Sequence, residues 1–309
     1  PGQKVMVDQF LAGREFECDA VCDGEDVLIP GIFEHIDPSG IHSGDSIAVF
    51  PSYSLTKEQQ GQVLDFVKVI SKELDVHGLL NIQFVLRGGV FWIIEANPRA
   101  SRTVPIVSKI SKLPVIDMAV GIALGERLRD MPYGTGLYPE TGQWSVKVPV
   151  FSNDKLPGLD PKLGPRMMST GESLGVADNL ADAIMDGLKG SGWLPPATGR
   201  ILMSIADSEK AEAMPVASQY KMLGWEIDAT EGTAAYLKKW GIEVNRVERA
   251  ELVRRLRGGE WDLVLNIPGG NERHMADGAM IRKQACSAGT PCLHSIAAAW
   301  AVAAGLNSR

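Results

Sequence analysis

Apolar positions along the chain follow two rhythms. In the first third they alternate with polar ones or gather in short β-branched and aromatic runs bounded by turn residues, the pattern of strands. Residues 4–8 and 15–22 read this way, Asp23-Gly24 reads as a turn, and residues 27–36 complete an antiparallel meander. Thr56 opens a helix with Lys57-Glu58-Gln59 in its first turn, and Val63, Phe66, Val67, Ile70 and Leu74 recur at helical spacing as a packing stripe. Residues 81–86 and 90–96 flank Gly88-Gly89, a short-range hairpin signal, and residues 104–125 continue as helical segments broken at Pro114. From 128 to 196 Gly and Pro are frequent, with a strand expected at 143–150 and a helix at 177–190. Gly192-Trp193-Leu194-Pro195-Pro196 marks a boundary. Beyond it, strands at 200–205, 226–229, 243–247, 263–266 and 292–294 alternate with helices, which predicts a parallel, doubly wound sheet. The expected class is α/β: an antiparallel sheet with helices over 1–130, a connector over 131–196, and a parallel-sheet domain over 197–309.

Composition narrows the function classes. The 309 residues, 45% of them hydrophobic, suffice for about two domains with ordinary cores. No stretch approaches the roughly 18 apolar residues of a membrane span, and no signal peptide opens the sequence. A net charge of −7 without a basic run argues against nucleic acid or a membrane surface as partner. Cys18, Cys22, Cys286 and Cys292 form neither zinc-like pairs nor a disulfide framework, and read as reduced thiols of a cytoplasmic compartment.

The chemistry concentrates on the hairpin. Gln83 and Glu95 are twelve residues apart, so a three-residue loop centred on Gly89 would set them opposite one another. Glu95 and Asn97 share a face because side chains alternate along a strand. An amide, a carboxylate and a second amide then meet as hard oxygen ligands of the kind Mg²⁺ takes together with phosphate. Two such ions, about 3.5–4 Å apart, clamp the oxygens of a phosphoryl group, and Glu95 would bridge them. Pro98 ends the ladder, and Arg99 and Arg102 follow as guanidinium forks for an anion beside the metals. In the last domain, Ser204, the Thr230-Glu231-Gly232-Thr233 run opening a helix, and Asn266 before Pro268-Gly269-Gly270 fall at strand ends, where ligands of such sheets bind. Taken alone, Thr230 reads more readily as a plain N-cap.

Gln83 with Glu95-Ala96-Asn97-Pro98-Arg99 resembles the metal-binding end of an ATP-grasp ligase, and the run from Asn97 through Ser101, Arg102 and Val104 to Lys109 narrows the likeness to the carbamoyl phosphate synthetase large-subunit family. The resemblance implies the carboxyl-terminal part of the second ATP-grasp unit, without its lid and as a fragment of a longer chain. It implies ATP and two Mg²⁺ or Mn²⁺ ions as cofactors, with K⁺ as a further cation. Gln9, Leu11, Glu15, Gly40, Ile41, His42 and Ser43 would contact the nucleotide together with Gln83 and Glu95; Gln83, Glu95 and Asn97 would hold metal; Arg99 and Arg102 would be catalytic. The implied reaction is ATP-dependent phosphorylation of carbamate to carbamoyl phosphate, serving arginine and pyrimidine synthesis.

The last domain resembles the methylglyoxal-synthase-like regulatory domain that closes this large subunit. The implied effector positions are Ser204, Lys210, Thr230, Thr233, Arg246 and Asn266. Two departures, Ile267-Pro268 in place of a hydroxyl pair and Glu231 in place of a His, weigh against a nucleotide effector. The implied partners are the rest of the large subunit, a glutaminase small subunit, a small-molecule effector and further copies in an oligomer. Two other readings stay open: a regulatory binding module on an inactive ATP-grasp scaffold, or another ATP-grasp carboxylate–amine ligase.

Overall fold

The computed structural model describes residues 7–152, 159–269 and 272–308. Of the first expected strand, residues 4–6 lie outside this set, as does Gly270; Val7 and Asp8 are not in a strand. The chain forms two compact units, residues 1–41 with 48–142, and residues 42–47 with 143–309.

In the first unit β1 (Arg14–Asp23) is the organising strand. It pairs antiparallel along its whole length with β5 (His77–Arg87), and on its other side with β2 (Val27–Ile29) and β3 (Ile32–His35). β3 pairs with β4 (Ala48–Phe50), β5 with β6 (Val90–Asn97), and β2 takes β7 (Gly136–Leu137) as a parallel neighbour. The order across this part of the sheet is β6-β5-β1-β3-β4, which leaves β6 at an edge. The run expected as one strand over 27–36 is divided between β2 and β3 at Pro30-Gly31, since proline has no N–H for the ladder.

Helix α1 (Lys57–Glu73) starts where the sequence indicates. Thr56 Oγ1 accepts from Gln59 N at 3.2 Å while Gln59 Oε1 accepts from Thr56 N at 3.0 Å, a reciprocal cap. Its Val63 and Val67 sink into a core with Phe16, Leu80, Ile82 and Phe84. α2 (Val104–Ser111) and α3 (Val115–Ala123) are separated by a left-handed Lys112 and by Pro114.

The second unit opens with an antiparallel pair, β8 (Trp144–Val150) and β9 (Gly171–Ala177), covered by α4 (Leu180–Gly190). The helix expected from 177 starts only at Leu180, because β9 occupies the residues before it. α4 lies so close that a Cβ on Gly175 would come within 2.0 Å of Ala183 O, so only glycine fits. A five-stranded parallel sheet follows, in the order β12 (Asn245–Val247), β11 (Glu226–Thr230), β10 (Arg200–Ile205), β13 (Leu263–Ile267), β14 (Cys292–Leu293). Its crossovers are α5 (Lys210–Met222), α6 (Glu231–Lys239), α7 (Arg249–Arg257) and α8 (Glu272–Ser287), and α9 (Ile296–Asn307) packs on α4 and α5. The chain starts at β10 and winds first one way and then the other, which opens a crevice at the carboxyl ends of β10 and β13. Among the described residues no helix is long and apolar enough to cross a membrane.

Candidate active site and effector pocket

Gln83 and Glu95 are direct cross-strand partners, as their spacing requires, but the loop between them is not the expected one. Gly88 and Gly89, at φ 58° and 81°, make a tight two-residue turn between Arg87 and Val90. The odd count comes from a bulge: Phe84 faces Ile93 and Gln83 faces Glu95, so Ile94 is an extra residue on β6. The bulge moves Glu95 and Asn97 onto the face of Gln83. Gln83 Nε2 donates to Glu95 Oε1 at 3.1 Å, and Asn97 Nδ2 donates to the same oxygen at 2.9 Å.

Both amides thus point an N–H at the carboxylate, and a half-turn about each terminal torsion would present an oxygen instead. One carboxylate and two amides make a hard-oxygen set that fits Mg²⁺ and leaves positions for phosphate oxygens. Among the described residues no three His, Cys, Asp or Glu side chains gather at metal-binding spacing, so an ion here would lean on these amides and on its ligand.

Behind the trio, in strand register, lies an acidic row of which the sequence singles out only Glu15. Glu17 on β1 faces Gln83, and Asp19 faces Asn81, which in turn faces Asn97. Glu15, two residues before Glu17, is buried; burial raises its pKa, His35 opposes the rise, and Glu17 and Glu95 add to it. His35 sits inside this row, with Nδ1 3.8 Å from Glu15 Oε1 and Nε2 3.5 Å from Glu17 Oε1. Gly40 N donates to Glu15, while Leu11 O accepts from Ser39 Oγ at 2.8 Å. Gln9 is exposed. Arg99 and Arg102 occupy the loop after β6, where Arg99 is exposed and donates from Nη1 to Ala100 O at 3.0 Å.

His42 and Ser43 belong to the second unit, and their loop is held there by residues 164–169, which carry no chemical signal in the sequence. His42 N donates to Gly164 O at 2.8 Å, and the Asp45 carboxylate accepts from Met168 N and Ser169 N at 2.8 Å each. The buried Lys147 donates to Ser43 O at 2.7 Å. His42 Nδ1 accepts from Gly44 N at 3.0 Å, which places the ring proton on Nε2 and makes that atom a donor.

At the crevice of the parallel sheet is a cavity of about 300 Å³. Ser204, Lys210, Thr230, Thr233 and Asn266 all line it, together with Glu231, Ile267 and Pro268, while Arg246 is not among its lining residues. Thr230 stands at the N-cap of α6, yet its hydroxyl makes no cap bond and lies 3.4 Å from Thr233 Oγ1. Thr233 Oγ1 in turn accepts from Ile205 N at 3.0 Å. The cations are already paired, Lys210 with Asp207 at 2.5 Å and Arg246 with Glu231 at 2.9 Å and Glu248 at 3.0 Å. Asn266 is buried; its Oδ1 accepts from Arg282 at 2.7 Å, and its Nδ2 has no hydrogen-bond partner among the described residues. Arg282, 1% exposed, also grips Asp160 through Nε at 2.7 Å and Nη2 at 2.6 Å. Its contacts hold the Asp160 carboxyl below its usual range despite the upward push of partial burial.

Residues 2–131 match the family described as carbamoyl-phosphate synthase L chain, ATP binding domain, and residues 212–294 match the MGS-like domain. The carbamoyl phosphate synthase large chain of Lachnoclostridium phytofermentans is 41% identical over 309 residues, covering 98% of this chain and 29% of that one. The same enzyme chain of Clostridium botulinum strain Kyoto is 43% identical over 287 residues, covering 91% of this chain and 27% of that one. The chain therefore spans less than a third of the length of these curated relatives. Among solved structures, the biotin carboxylase domain of a single-chain bacterial carboxylase is similar with a TM-score of 0.46 at 15% identity, covering 58% of this chain and 46% of that one.

Proposed function

Since the chain belongs to the carbamoyl phosphate synthase large-chain family, we propose that, within a longer protein, it carries out the ATP-dependent phosphorylation of carbamate to carbamoyl phosphate. The observation that carries this reading is the meeting of Gln83, Glu95 and Asn97 at one carboxylate oxygen. These three residues would hold Mg²⁺, or Mn²⁺ in its place, and the bound ions would neutralise phosphate charge during transfer. Glu15, the backbone at Gly40-Ile41 and the side chains of His42 and Ser43 would receive the nucleotide, with Gln9 and Leu11 at its margin, and K⁺ would act as a further cation. Arg99 and Arg102 would orient the anionic acyl phosphate. The domains run over 1–130, 131–196 and 197–309, the last being regulatory; the partners are the rest of the large chain, a glutaminase subunit, a small effector and further copies.

The direct test uses the full-length large chain and measures ATP formed from carbamoyl phosphate and ADP. Chelating divalent metal should abolish the rate, and added Mg²⁺ or Mn²⁺ should restore it. A rate indifferent to chelation would remove the basis for the reading.

For the regulatory pocket, the pairing of Lys210 and Arg246 with acids adds to the two sequence departures already noted. A phosphate would have to break an ion pair to reach either cation, and Ile267-Pro268 brings no hydroxyl. Calorimetry with uridine or inosine monophosphate is expected to show affinity weaker than micromolar. Micromolar binding that disappears in Lys210→Ala would mean that the Asp207 contact yields readily to phosphate.

A further inference from the structure

Asp19 stands near the middle of β1 and is 1% exposed. Its carboxylate makes three side-chain hydrogen bonds, all to residues distant in sequence and two of them to the loop after β6. Oδ1 accepts from Asn81 Nδ2 at 3.1 Å and from Ser101 Oγ at 2.6 Å, and Oδ2 accepts from Thr103 Oγ1 at 2.5 Å. All three donors are neutral. Burial pushes the Asp19 carboxyl up, Glu17 pushes it the same way, and these three bonds oppose both, leaving it at about 6. A buried acid whose bonding partners are neutral is a costly way to fill a strand position that an apolar residue would fill at no such cost.

The loop it holds is the one that carries both arginines. Ser101 and Thr103 flank Arg102, and Ser101 is two residues after Arg99. Thr103 is the N-cap residue of α2, yet its side chain makes no cap bond and its hydroxyl donates to Asp19 instead. Ser101 Oγ accepts from Thr103 N at 3.1 Å, which closes the loop on itself around Arg102. A local preference set aside in favour of a long-range bond marks a place where geometry matters more than helix stability. The tether also runs beside the metal-ligand row, since Asp19 faces Asn81 and Asn81 faces Asn97.

We propose that Asp19 is a positioning residue: through Ser101 and Thr103 it fixes the backbone on both sides of Arg102, and so sets where the arginine forks meet the acyl phosphate. The inference rests on the reading of Arg99 and Arg102 given above. Hydroxyls bound to a strand inside the sheet cannot drift with the loop, so the guanidinium groups start from a defined base and lose less freedom when an anion binds.

The experiment follows ATP formation from carbamoyl phosphate and ADP by the full-length large chain. Asp19→Asn removes one acceptor while keeping the shape, and should raise KM for carbamoyl phosphate tenfold or more with KM for ADP changed less than twofold. Ser101→Ala and Thr103→Val should each shift the same parameter, and neither should add to Asp19→Asn. Equal shifts in both KM values, no shift in either, or additive effects would overturn the proposal. Should Asp19→Asn fail to fold, the two hydroxyl variants carry the same test with the same outcomes. Arg102→Lys is measured alongside: if it leaves KM for carbamoyl phosphate unchanged, the role given to the arginines is what fails, whereas an effect there without coupling to Asp19 rejects the tether alone.

Discussion

Glu95→Gln in the full-length chain is expected to cut ATP formation from carbamoyl phosphate and ADP by about a thousandfold, which corresponds to roughly 4 kcal/mol of lost transition-state stabilisation. The two amides that flank Glu95 converge on a single one of its oxygens, so the site has one carboxylate at its centre and neutral donors around it. Glutamine keeps the length and the shape but removes the charge that would hold a divalent ion. Glu95 lies exposed on an edge strand, so the same substitution should leave the thermal midpoint nearly where it was. Activity and stability should therefore separate. A rate within tenfold of the parent would show that the carboxylate is not the ligand that matters.

Arg282→Met is expected to do the reverse, lowering stability sharply from a position remote in sequence from the β5–β6 hairpin. The Arg282 side chain is 2% exposed, and its guanidinium makes two bonds to Asp160 and one to Asn266. Removing it strands a partly buried carboxylate and an amide oxygen, a loss of roughly 3 kcal/mol, or roughly 10 °C in the melting of the second unit. Arg282→Met combined with Asp160→Leu should recover part of the loss, because an apolar pair leaves no unpaired charge. A second readout has a definite sign. Burial first, and Arg282 second, hold His294 at about 4, below its ordinary 6.5, so protonation favours unfolding and stability is lost as pH falls through that window. Without Arg282 the folded pKa moves back up, and the decline on acidification should be shallower. A variant that melts within 2 °C of the parent would show that the network contributes little.

Period and parity make much of the hairpin legible in the sequence. Alternation alone sets Glu95 and Asn97 on one face, and the even interval between Gln83 and Glu95 placed them opposite each other, although by the wrong device. The bulge at Ile94 leaves no propensity signal, whereas the glycines that form the turn do. β9 is not legible in the sequence because Gly171, Glu172, Ser173 and Gly175 are poor strand formers, and its place is set by register with β8. The positioning groups were illegible for a different reason, since each depends on a contact that crosses much of the chain. Asp19 meets Ser101 and Thr103 across 82 and 84 residues, Asp45 meets Ser169 across 124, and Arg282 meets Asp160 across 122. A lone acid in a strand, or a lone arginine on a helix, reads as a solvated charge until the fold supplies its partner.

The bulge on β6 has a bearing on solubility as well as on register. Among the described residues β6 ends the strand order on its side of the sheet, and it exposes Val90, Trp92, Ile93 and Ile94, each 44% or more accessible. An apolar strand whose outer edge has no partner is a template on which another extended chain can assemble. Ile94 spoils that template, because an extra residue breaks the even spacing of N–H and C=O groups that an incoming strand must match. Deleting Ile94 would thus do two things at once: it would turn Glu95 and Asn97 away from Gln83, and it would straighten an apolar edge into one that recruits strands from neighbouring molecules.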